Sequence, residues 1–162
     1  MRLFFSKNLV RQHRDFYPTP LVAFTPLLPY IPEDLIIWEP ACGDRRLIKV
    51  LLANGFTANG SDFSLGYDFL SEYRRFDAII TNPPFSLAFQ FVRRSVKLAD
   101  HVFLLLRLNF LASQKRADWF KKNEPSALFV LINRPSFTGG GTDMTDYAWF
   151  YWGAAWKGIF HI

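Results

Sequence analysis

Two consecutive prolines, Pro83 and Pro84, lie between two stretches of different pattern. The apolar run at residues 76–80 is suited to a buried strand, and residues 86–100 carry apolar side chains at helical spacing. Because proline interrupts both kinds of element, residues 82–85, Asn-Pro-Pro-Phe, form a turn between a strand and a helix. In an open α/β sheet, ligands bind at the carboxyl ends of strands, where this turn lies.

The residues of this turn suit contact with an amino group on a planar ring. Pro83 and Pro84 have no N–H and offer only carbonyl acceptors on a stiff backbone, and Asn82 adds a side-chain carbonyl. Two fixed acceptors would take both amino hydrogens and localise the nitrogen lone pair for attack. Phe85 supplies a flat face for stacking, worth about 1–3 kcal/mol per base. A rigid turn that caps the helix at Ser86 is the alternative.

Apolar runs of strand length alternate with amphipathic stretches along the chain. This alternation predicts an α/β fold with a doubly wound sheet. Thr19 is predicted to cap a short helix with Pro20 at its first position. The tail through Trp156 and Phe160 is expected to pack on the sheet. Strands are predicted at residues 35–38, 57–62, 76–80, 101–106, 127–132 and 147–152. Helices are predicted from residue 47 to about residue 54, at residues 86–100 and at about residues 113–122.

The 162 residues form one predicted domain, residues 1–162, with a core of its own. No apolar run reaches the roughly 18 residues of a membrane span. Cys42 is the only cysteine, which excludes an intramolecular disulfide and fits a reducing cytoplasm. The three histidines are too scattered for a metal site, so no metal is expected. A net charge of +5 favours a polyanionic partner.

The first predicted strand is followed by the turn Glu-Pro-Ala-Cys-Gly-Asp at residues 39–44 and then by a helix. This arrangement is the nucleotide-binding start of a doubly wound sheet, in which Gly43 lets the backbone approach the ligand. Asp62, at the end of the second strand, fits a carboxylate that accepts both ribose hydroxyls of a nucleoside. An exposed Asp62 that caps the following turn is the alternative.

These motifs resemble those of methyltransferases that use S-adenosylmethionine to methylate amino groups, chiefly the enzymes that make N6-methyladenine in DNA. Residues 82–85 match the catalytic motif, and Glu39, Pro40 and Gly43 match the pattern Glu/Asp-Pro-x-x-Gly-x-Gly. The resemblance covers about residues 16–152. It implies a Rossmann-like class I methyltransferase fold, with a seven-stranded, mostly parallel sheet and helices on both faces.

The resemblance also implies which residues bind the cofactor, S-adenosyl-L-methionine. The segment Tyr-x-Thr-Pro at residues 17–20 would pack against its methionine end. Asp62 would accept from the ribose, and Asp68 would accept from the adenine amino group beside a flanking aromatic ring. The implied cofactor-binding residues are Tyr17, Thr19, Pro20, Glu39, Pro40, Ala41, Gly43, Asp62, Phe63, Asp68, Phe69 and Asn82.

Arg45 departs from the family pattern, because it stands where the second glycine is expected. If that position needs a positive φ or close approach of the ligand, an arginine introduces strain and bulk. Arg45 either points outward from a relaxed loop or weakens cofactor binding. The second case would suit a methyltransferase fold that serves as a non-catalytic nucleic-acid-binding subunit.

The resemblance assigns catalysis to Asn82, Pro83, Pro84 and Phe85. An Arg-Pro-x-Phe segment lies beside the target-base pocket in the resembled family, so Arg134, Phe137 and Phe85 are the expected substrate-binding residues. The three glycines at residues 139–141 indicate a plain hairpin loop or a loop that a ligand approaches closely. No separate target-recognition region is seen, so the expectation is low sequence specificity, recognition by a short loop, or recognition supplied by a second subunit.

The leading hypothesis is an adenine N6-methyltransferase that flips a DNA base into the pocket at residues 82–85, in the cytoplasm of a bacterium or a phage-infected host. RNA adenine, cytosine N4 and a protein glutamine amide present similar amino groups and remain alternatives. Cytosine C5 chemistry does not fit, because the only thiol, Cys42, lies in the cofactor turn. No membrane partner is expected.

Overall fold

The computed structural model describes residues 17–137 and 144–162. The predicted glycine-rich loop falls partly on residues 138–143, outside the described residues. The helices are α1 (Leu21–Phe24), α2 (Arg46–Ala53), α3 (Ala88–Leu98) and α4 (Gln114–Phe120). The strands are β1 (Ile36–Glu39), β2 (Thr57–Gly60), β3 (Phe76–Thr81), β4 (Ala99–Arg107), β5 (Ala127–Val130), β6 (Tyr147–Trp152) and β7 (Gly158–His161). Short 3-10 segments lie at Thr25–Tyr30, Phe63–Leu65, Phe69–Ser71, Phe85–Leu87 and Leu108–Leu111.

The strands form a seven-stranded sheet in the order β2-β1-β3-β4-β6-β5-β7. Strand β1 pairs in parallel with both β2 and β3, and β3 pairs in parallel with β4. Strand β6 runs antiparallel to β4 and β5, and β7 returns to a parallel pairing with β5. The predicted seven-stranded, mostly parallel sheet is therefore confirmed.

The core has two halves, one on each face of the sheet. Successive residues of a strand point to opposite faces, so Ile37 and Ile80 belong to one apolar cluster while Trp38 and Ile79 belong to the other. Helices α1 and α2 supply the first cluster, and α3 and α4 supply the second. Helices on both faces, as the sequence predicted, leave the central strands buried on both sides.

The order of the strands determines where a ligand can enter. From β1 the chain passes through α2 to β2 on one side, whereas β3 lies on the other side of β1. At such a switch point the connections leave in opposite directions and a crevice opens beyond the carboxyl ends of the two strands. Glu39 ends β1, and Asn82 directly follows β3. Both residues therefore lie at the crevice.

Several local predictions differ from the structure. Strand β2 ends at Gly60 rather than at residue 62, and β5 ends at Val130 rather than at residue 132. The predicted helix at residues 86–100 ends earlier, because Ala99 pairs with Phe76 as the first residue of β4. Thr19 does not cap α1: Pro20 occupies the cap position, no side chain caps the helix, and Thr19 is buried. The seventh strand comes from the tail, where Phe160 stacks on Phe129 with ring centroids 4.9 Å apart.

Candidate active site

A cavity of about 340 Å³ opens at the carboxyl ends of β1 and β3. Its walls come from the glycine turn after β1, the segment after β2, the turn after β3 and the chain before α1. Its volume falls within the roughly 300–1,000 Å³ of small-molecule sites. The structure brings together, on these walls, the predicted residues Tyr17, Thr19, Glu39, Pro40, Ala41, Gly43, Asp62, Phe63, Asp68, Phe69, Asn82, Pro83, Pro84 and Phe85.

The cavity wall also includes residues that the sequence did not single out. Leu47, Leu70 and Phe91 have the pattern of core positions, and only the folded chain shows that such side chains also face a cavity. Asp44 and Arg46 adjoin the glycine turn, so their proximity in sequence was an available signal. The additional wall residues are Pro18, Cys42, Asp44, Arg46, Leu47, Ser64, Tyr67, Leu70 and Phe91.

Glu39 carries a buried carboxyl group on this wall and is only 3% exposed. Its Oε2 atom has no hydrogen-bond partner among the described residues. Burial raises the pKa of this carboxyl well above its usual range, and the charges of Asp44 and Asp62 raise it further, against a lowering effect of Arg45. Because an unpaired buried carboxylate is costly, the group suits a site that receives a cationic hydrogen-bond donor.

The glycine turn adopts left-handed backbone at both positions where the family pattern has glycine. Gly43 has φ 46°, and Arg45 has φ 63° and ψ 21°. A non-glycine residue in this conformation costs about 1–2 kcal/mol. The Arg45 side chain is exposed and does not belong to the cavity wall. The outward arrangement is therefore observed, but the backbone of the turn is strained.

Hydrogen bonds hold the walls of the cavity in position. Arg46 donates to the Asp44 carboxylate at 2.6 and 2.8 Å, and its other guanidinium nitrogen donates to the Thr19 carbonyl at 3.3 Å. The Asp62 Oδ2 atom accepts from the Gly43 N–H at 3.0 Å. These contacts join the chain before α1, the glycine turn and the segment after β2 into one rim.

Asp62 lines the cavity and also caps a turn. Its Oδ1 atom accepts from the Ser64 N–H at 2.9 Å and from the Ser64 hydroxyl at 2.6 Å. The capping alternative is thus observed. It does not exclude ligand binding, because a carboxylate has about four acceptor positions and three are used. Asp68 similarly accepts from the Leu70 N–H at 2.9 Å while it faces the cavity.

Aromatic rings support the part of the cavity between Asp62 and Asp68. Trp38 packs against Tyr67 and Phe69, with ring centroids 5.7 and 5.4 Å apart, and both of those rings line the cavity. Glu72 is buried and accepts from the Tyr67 hydroxyl and from Arg74. The hydrogen bonds from Arg74 lower the pKa of Glu72 to about 2. Glu72 therefore stays ionised and holds the Tyr67 ring.

The Asn82 side chain presents its oxygen as a free acceptor. Its Nδ2 atom donates to the Tyr17 main-chain oxygen at 3.3 Å, and its Oδ1 atom is buried without a partner among the described residues. The bond to Tyr17 sets which end of the amide carries the oxygen. In the same turn, the Pro84 carbonyl accepts from the Leu87 N–H at 3.0 Å, which starts the 3-10 segment. This turn therefore does begin the helical stretch and also keeps a side-chain acceptor free.

Three side chains surround the Phe85 ring. The ring centroids of Tyr17 and Phe85 are 5.6 Å apart, and the two ring planes make an angle of 33°. The ring of Phe137 meets that of Phe85 edge-on, with the centroids 6.2 Å apart. The guanidinium carbon of Arg107 lies 4.7 Å from the ring centroid. Arg107 ends β4, the strand next to β3, and nothing in its sequence context identified it as a site residue.

Three predicted site residues do not line the cavity. Pro20 precedes α1, and Phe137 is buried behind Phe85, where its ring lies 4.9 Å from that of Tyr147. Arg134 pairs with Asp146 through an Nε to Oδ1 distance of 2.7 Å, and both side chains are half exposed. Phe137 thus contacts the cavity wall at Phe85.

The described residues limit other chemistry. Cys42 is buried, and burial raises the pKa of its thiol to about 11, so it stays protonated at neutral pH and is a poor nucleophile. Within residues 17–137 and 144–162, no three His, Cys, Asp or Glu side chains are grouped as metal ligands would be. No helix in the same part of the chain is both long and apolar enough for a membrane span.

Solved structures place this architecture in a known fold class. A candidate RNA methyltransferase of Pyrococcus horikoshii superposes with a TM-score of 0.58 and 13% identity, over 88% of this chain and 86% of its own. A candidate class I S-adenosylmethionine-dependent methyltransferase of Listeria monocytogenes also superposes with a TM-score of 0.58, with 14% identity over 86% of this chain. The fold is that of a class I methyltransferase.

A third similar structure comes from a type I restriction-modification system, with a TM-score of 0.56 and 16% identity over 90% of this chain. The present chain spans 62% of the Listeria protein and 44% of the restriction-modification chain. No protein-family profile and no curated protein sequence matches the present chain. The likeness is one of fold, and the cavity lies where the fold places ligands, at the switch point.

Proposed function

We propose that this protein transfers a methyl group from S-adenosyl-L-methionine to the N6 amino group of adenine in DNA. The observation that carries the proposal is the Asn82 amide, whose nitrogen is held by Tyr17 and whose buried oxygen is a free acceptor beside the cavity. A primary amine attached to a flat ring fits this turn. Its two hydrogens can be donated to Asn82 and a proline carbonyl, and its ring can stack on Phe85.

The residues of the cavity fit S-adenosyl-L-methionine. The unpaired Glu39 Oε2 and the nearby carboxylates of Asp44 and Asp62 suit a ligand with an ammonium and a sulfonium charge. The Asp62 carboxylate keeps an acceptor position for a ribose hydroxyl, and Asp68 with Phe69 suits an adenine ring. When bound, the cofactor supplies an electrophilic methyl group.

The turn after β3 would orient the target amine and increase its reactivity. In this proposal Asn82 Oδ1 accepts one amino hydrogen and the Pro83 carbonyl accepts the other; the Pro84 carbonyl already accepts one hydrogen bond, from the Leu87 N–H. Drawing both hydrogens away from the ring favours a localised nitrogen lone pair. Catalysis then rests on positioning and hydrogen bonding. Cys42 takes no part, since its thiol is buried and protonated.

DNA is favoured over other carriers of an amino group by the resemblance of residues 82–85 to the adenine N6 motif. One structural neighbour belongs to a type I restriction-modification system, which supports a DNA target and a second subunit for recognition. Another is described as a candidate RNA methyltransferase and matches over most of its length, so RNA adenine is the second candidate substrate.

The non-catalytic alternative depended on Arg45 blocking the cofactor turn. The Arg45 side chain is exposed and outside the cavity wall, and Gly43 still approaches the cavity. The strain at Arg45 lies in the backbone and leaves the cavity open. These observations support an active enzyme.

The deciding experiment is mass spectrometry of nucleosides from double-stranded DNA, single-stranded DNA and RNA, each incubated with the protein and isotopically labelled S-adenosylmethionine. We expect labelled N6-methyladenine in a DNA pool. Asn82→Ala should abolish the product while cofactor affinity by calorimetry stays the same, because the amide oxygen serves the target amine.

Asn59→Ala, at an exposed position on β2, is the matched control and should retain activity. Label in RNA alone would replace DNA by RNA as the substrate. Absence of label in all three pools, or more than a few per cent of the rate in Asn82→Ala, would refute the proposed reaction.

A further inference from the structure

Arg107 covers the aromatic ring on which the target base would stack. Its guanidinium carbon lies 4.7 Å from the Phe85 centroid, a distance at which a cation and a ring attract each other. A guanidinium is planar, and a base stacked on Phe85 would need the same kind of space above the ring. Arg107 therefore occupies a face of Phe85 on which a planar ligand would stack.

Of the three side chains around Phe85, Phe137 is buried against Tyr147, whereas Tyr17 and Arg107 are exposed. Arg107 is the one of the two exposed side chains that carries a charge. The Arg107 side chain is exposed, and no carboxylate among the described residues forms an ion pair with it. Its contact with Phe85 is the kind of exposed cation–ring contact that a stacking base can displace.

The backbone of Arg107 is fixed even though the side chain is exposed. Arg107 pairs with Tyr147 in the β4–β6 register, and its neighbour Leu106 is buried in the core. A guanidinium that leaves the ring therefore stays within reach of Phe85. A flipped nucleotide brings its own phosphodiester to that place, and guanidinium binds phosphate through two parallel hydrogen bonds.

We propose that Arg107 occupies the face of Phe85 until a target base displaces it, and that it then binds the phosphodiester of the flipped nucleotide. This inference rests on the proposed methyl transfer to a base and specifies its substrate class as a polynucleotide. A protein glutamine amide would displace the guanidinium without offering a phosphate, so Arg107 would favour nucleic acid over a peptide.

The test is the salt dependence of binding to a fluorescein-labelled, adenine-containing oligonucleotide, followed by anisotropy in the presence of S-adenosylhomocysteine. Log affinity falls as log salt rises, and each lost phosphate contact reduces the magnitude of this slope by about 0.7–0.9. We expect Arg107→Gln to lower the slope by about one such step and to weaken binding about tenfold at low salt. Arg107→Lys keeps the charge and should keep most of the slope.

Arg75→Gln is the matched control, because Arg75 is an exposed arginine that pairs with Asp100, beside the amino-terminal ends of β3 and β4, opposite the cavity. It removes the same charge and should leave the slope unchanged. An equal change in Arg75→Gln and Arg107→Gln would mean a general charge effect and would overturn the proposal. So would an unchanged slope in Arg107→Gln, or a wild-type protein that binds no oligonucleotide.

The two proposals fail separately in these measurements. If the wild-type protein methylates no base but Arg107→Gln still loses one step of slope, Arg107 is a phosphate ligand and the proposed reaction is wrong. If the wild-type protein methylates adenine while Arg107→Gln leaves the salt slope unchanged, the proposed reaction stands and the role given to Arg107 is wrong.

Discussion

The Glu39 carboxyl group offers the sharpest test of the cavity, because one substitution should affect stability and cofactor binding in opposite directions. Glu39 is 3% exposed, and its Oε2 has no partner among the described residues. Leaving a buried polar group unpaired costs about 1–3 kcal/mol, and more when the group is charged. Glu39→Gln keeps the shape and removes the charge, so we expect the ligand-free protein to gain about 1–2 kcal/mol at pH 8.

The pH dependence follows from the raised pKa of Glu39. In the folded protein, burial raises this pKa well above the 4.5 that is usual for a glutamate, and the charges of Asp44 and Asp62 add to the effect. A raised pKa means that the folded state holds the proton more tightly. The stabilisation is complete below the unfolded pKa and is lost as the pH rises through the folded pKa. Glu39→Gln should lack this loss.

Cofactor binding should change in the opposite sense. A hydrogen bond to a charged group contributes about 1.5–3 kcal/mol, so Glu39→Gln should weaken S-adenosylmethionine about 10- to 150-fold. Calorimetric titration measures the affinity, and thermal unfolding between pH 5 and pH 8 measures the stability. For a chain of this size, each kcal/mol shifts the unfolding midpoint by about 2–4 °C.

Glu33→Gln is the control for charge removal, since Glu33 is exposed in the segment before β1. It should change neither measurement. The reasoning would be refuted by a Glu39→Gln protein that unfolds below the wild type at pH 8, because the carboxylate would then make a stabilising contact. Unchanged affinity for S-adenosylmethionine would show that Glu39 does not bind the cofactor.

Two further substitutions test the surroundings of the cavity. Arg45→Gly should stabilise the protein by about 1 kcal/mol in urea unfolding, because glycine adopts the left-handed backbone without the steric cost, and a loss of stability would contradict the assigned strain. Glu72 should stabilise the protein above the usual glutamate pKa of 4.5 and lose this effect as the pH falls toward its folded pKa of about 2. Glu72→Gln should therefore be less stable than the wild type at pH 7, and its unfolding midpoint should depend less on pH in acid. Thermal unfolding from pH 7 to pH 3 measures both effects, and parallel curves of midpoint against pH for the two proteins would contradict the role given to Glu72.

The periodicity of the sequence was sufficient for the main elements of the fold. Residues 147–152 form β6 with the predicted bounds, and the predicted strand at residues 101–106 lies inside β4. Element ends were less certain, because the hydrogen bonds of a neighbouring strand decide where a helix gives way to the sheet. This is why α3 ends at Leu98, and why the short tail segment Gly158–His161 forms a strand that periodicity did not indicate.

The predicted cofactor and catalytic residues meet because of the topology of the sheet. Glu39, Asp62 and Asn82 are distant in sequence but lie at or just after the carboxyl ends of strands that share one edge. Contacts between distant segments had no sequence signal. The Arg107 side chain on the Phe85 ring is one case, and the close approach of the Gly60 backbone to Cys42 is another, because a Cβ added at Gly60 would lie 2.8 Å from the Cys42 Cβ.

By itself, the sequence determined the class of the fold, the order of the first six strands and of the helices along the chain, and the turn at residues 82–85, because hydrophobic period and proline act locally. The tertiary structure alone decided that the Asn82 oxygen is free, that the Glu39 carboxyl is buried without a partner among the described residues, and that Arg45 tolerates a left-handed backbone. These features depend on which groups from distant segments pack together, and pairing across a sheet is settled by the whole chain.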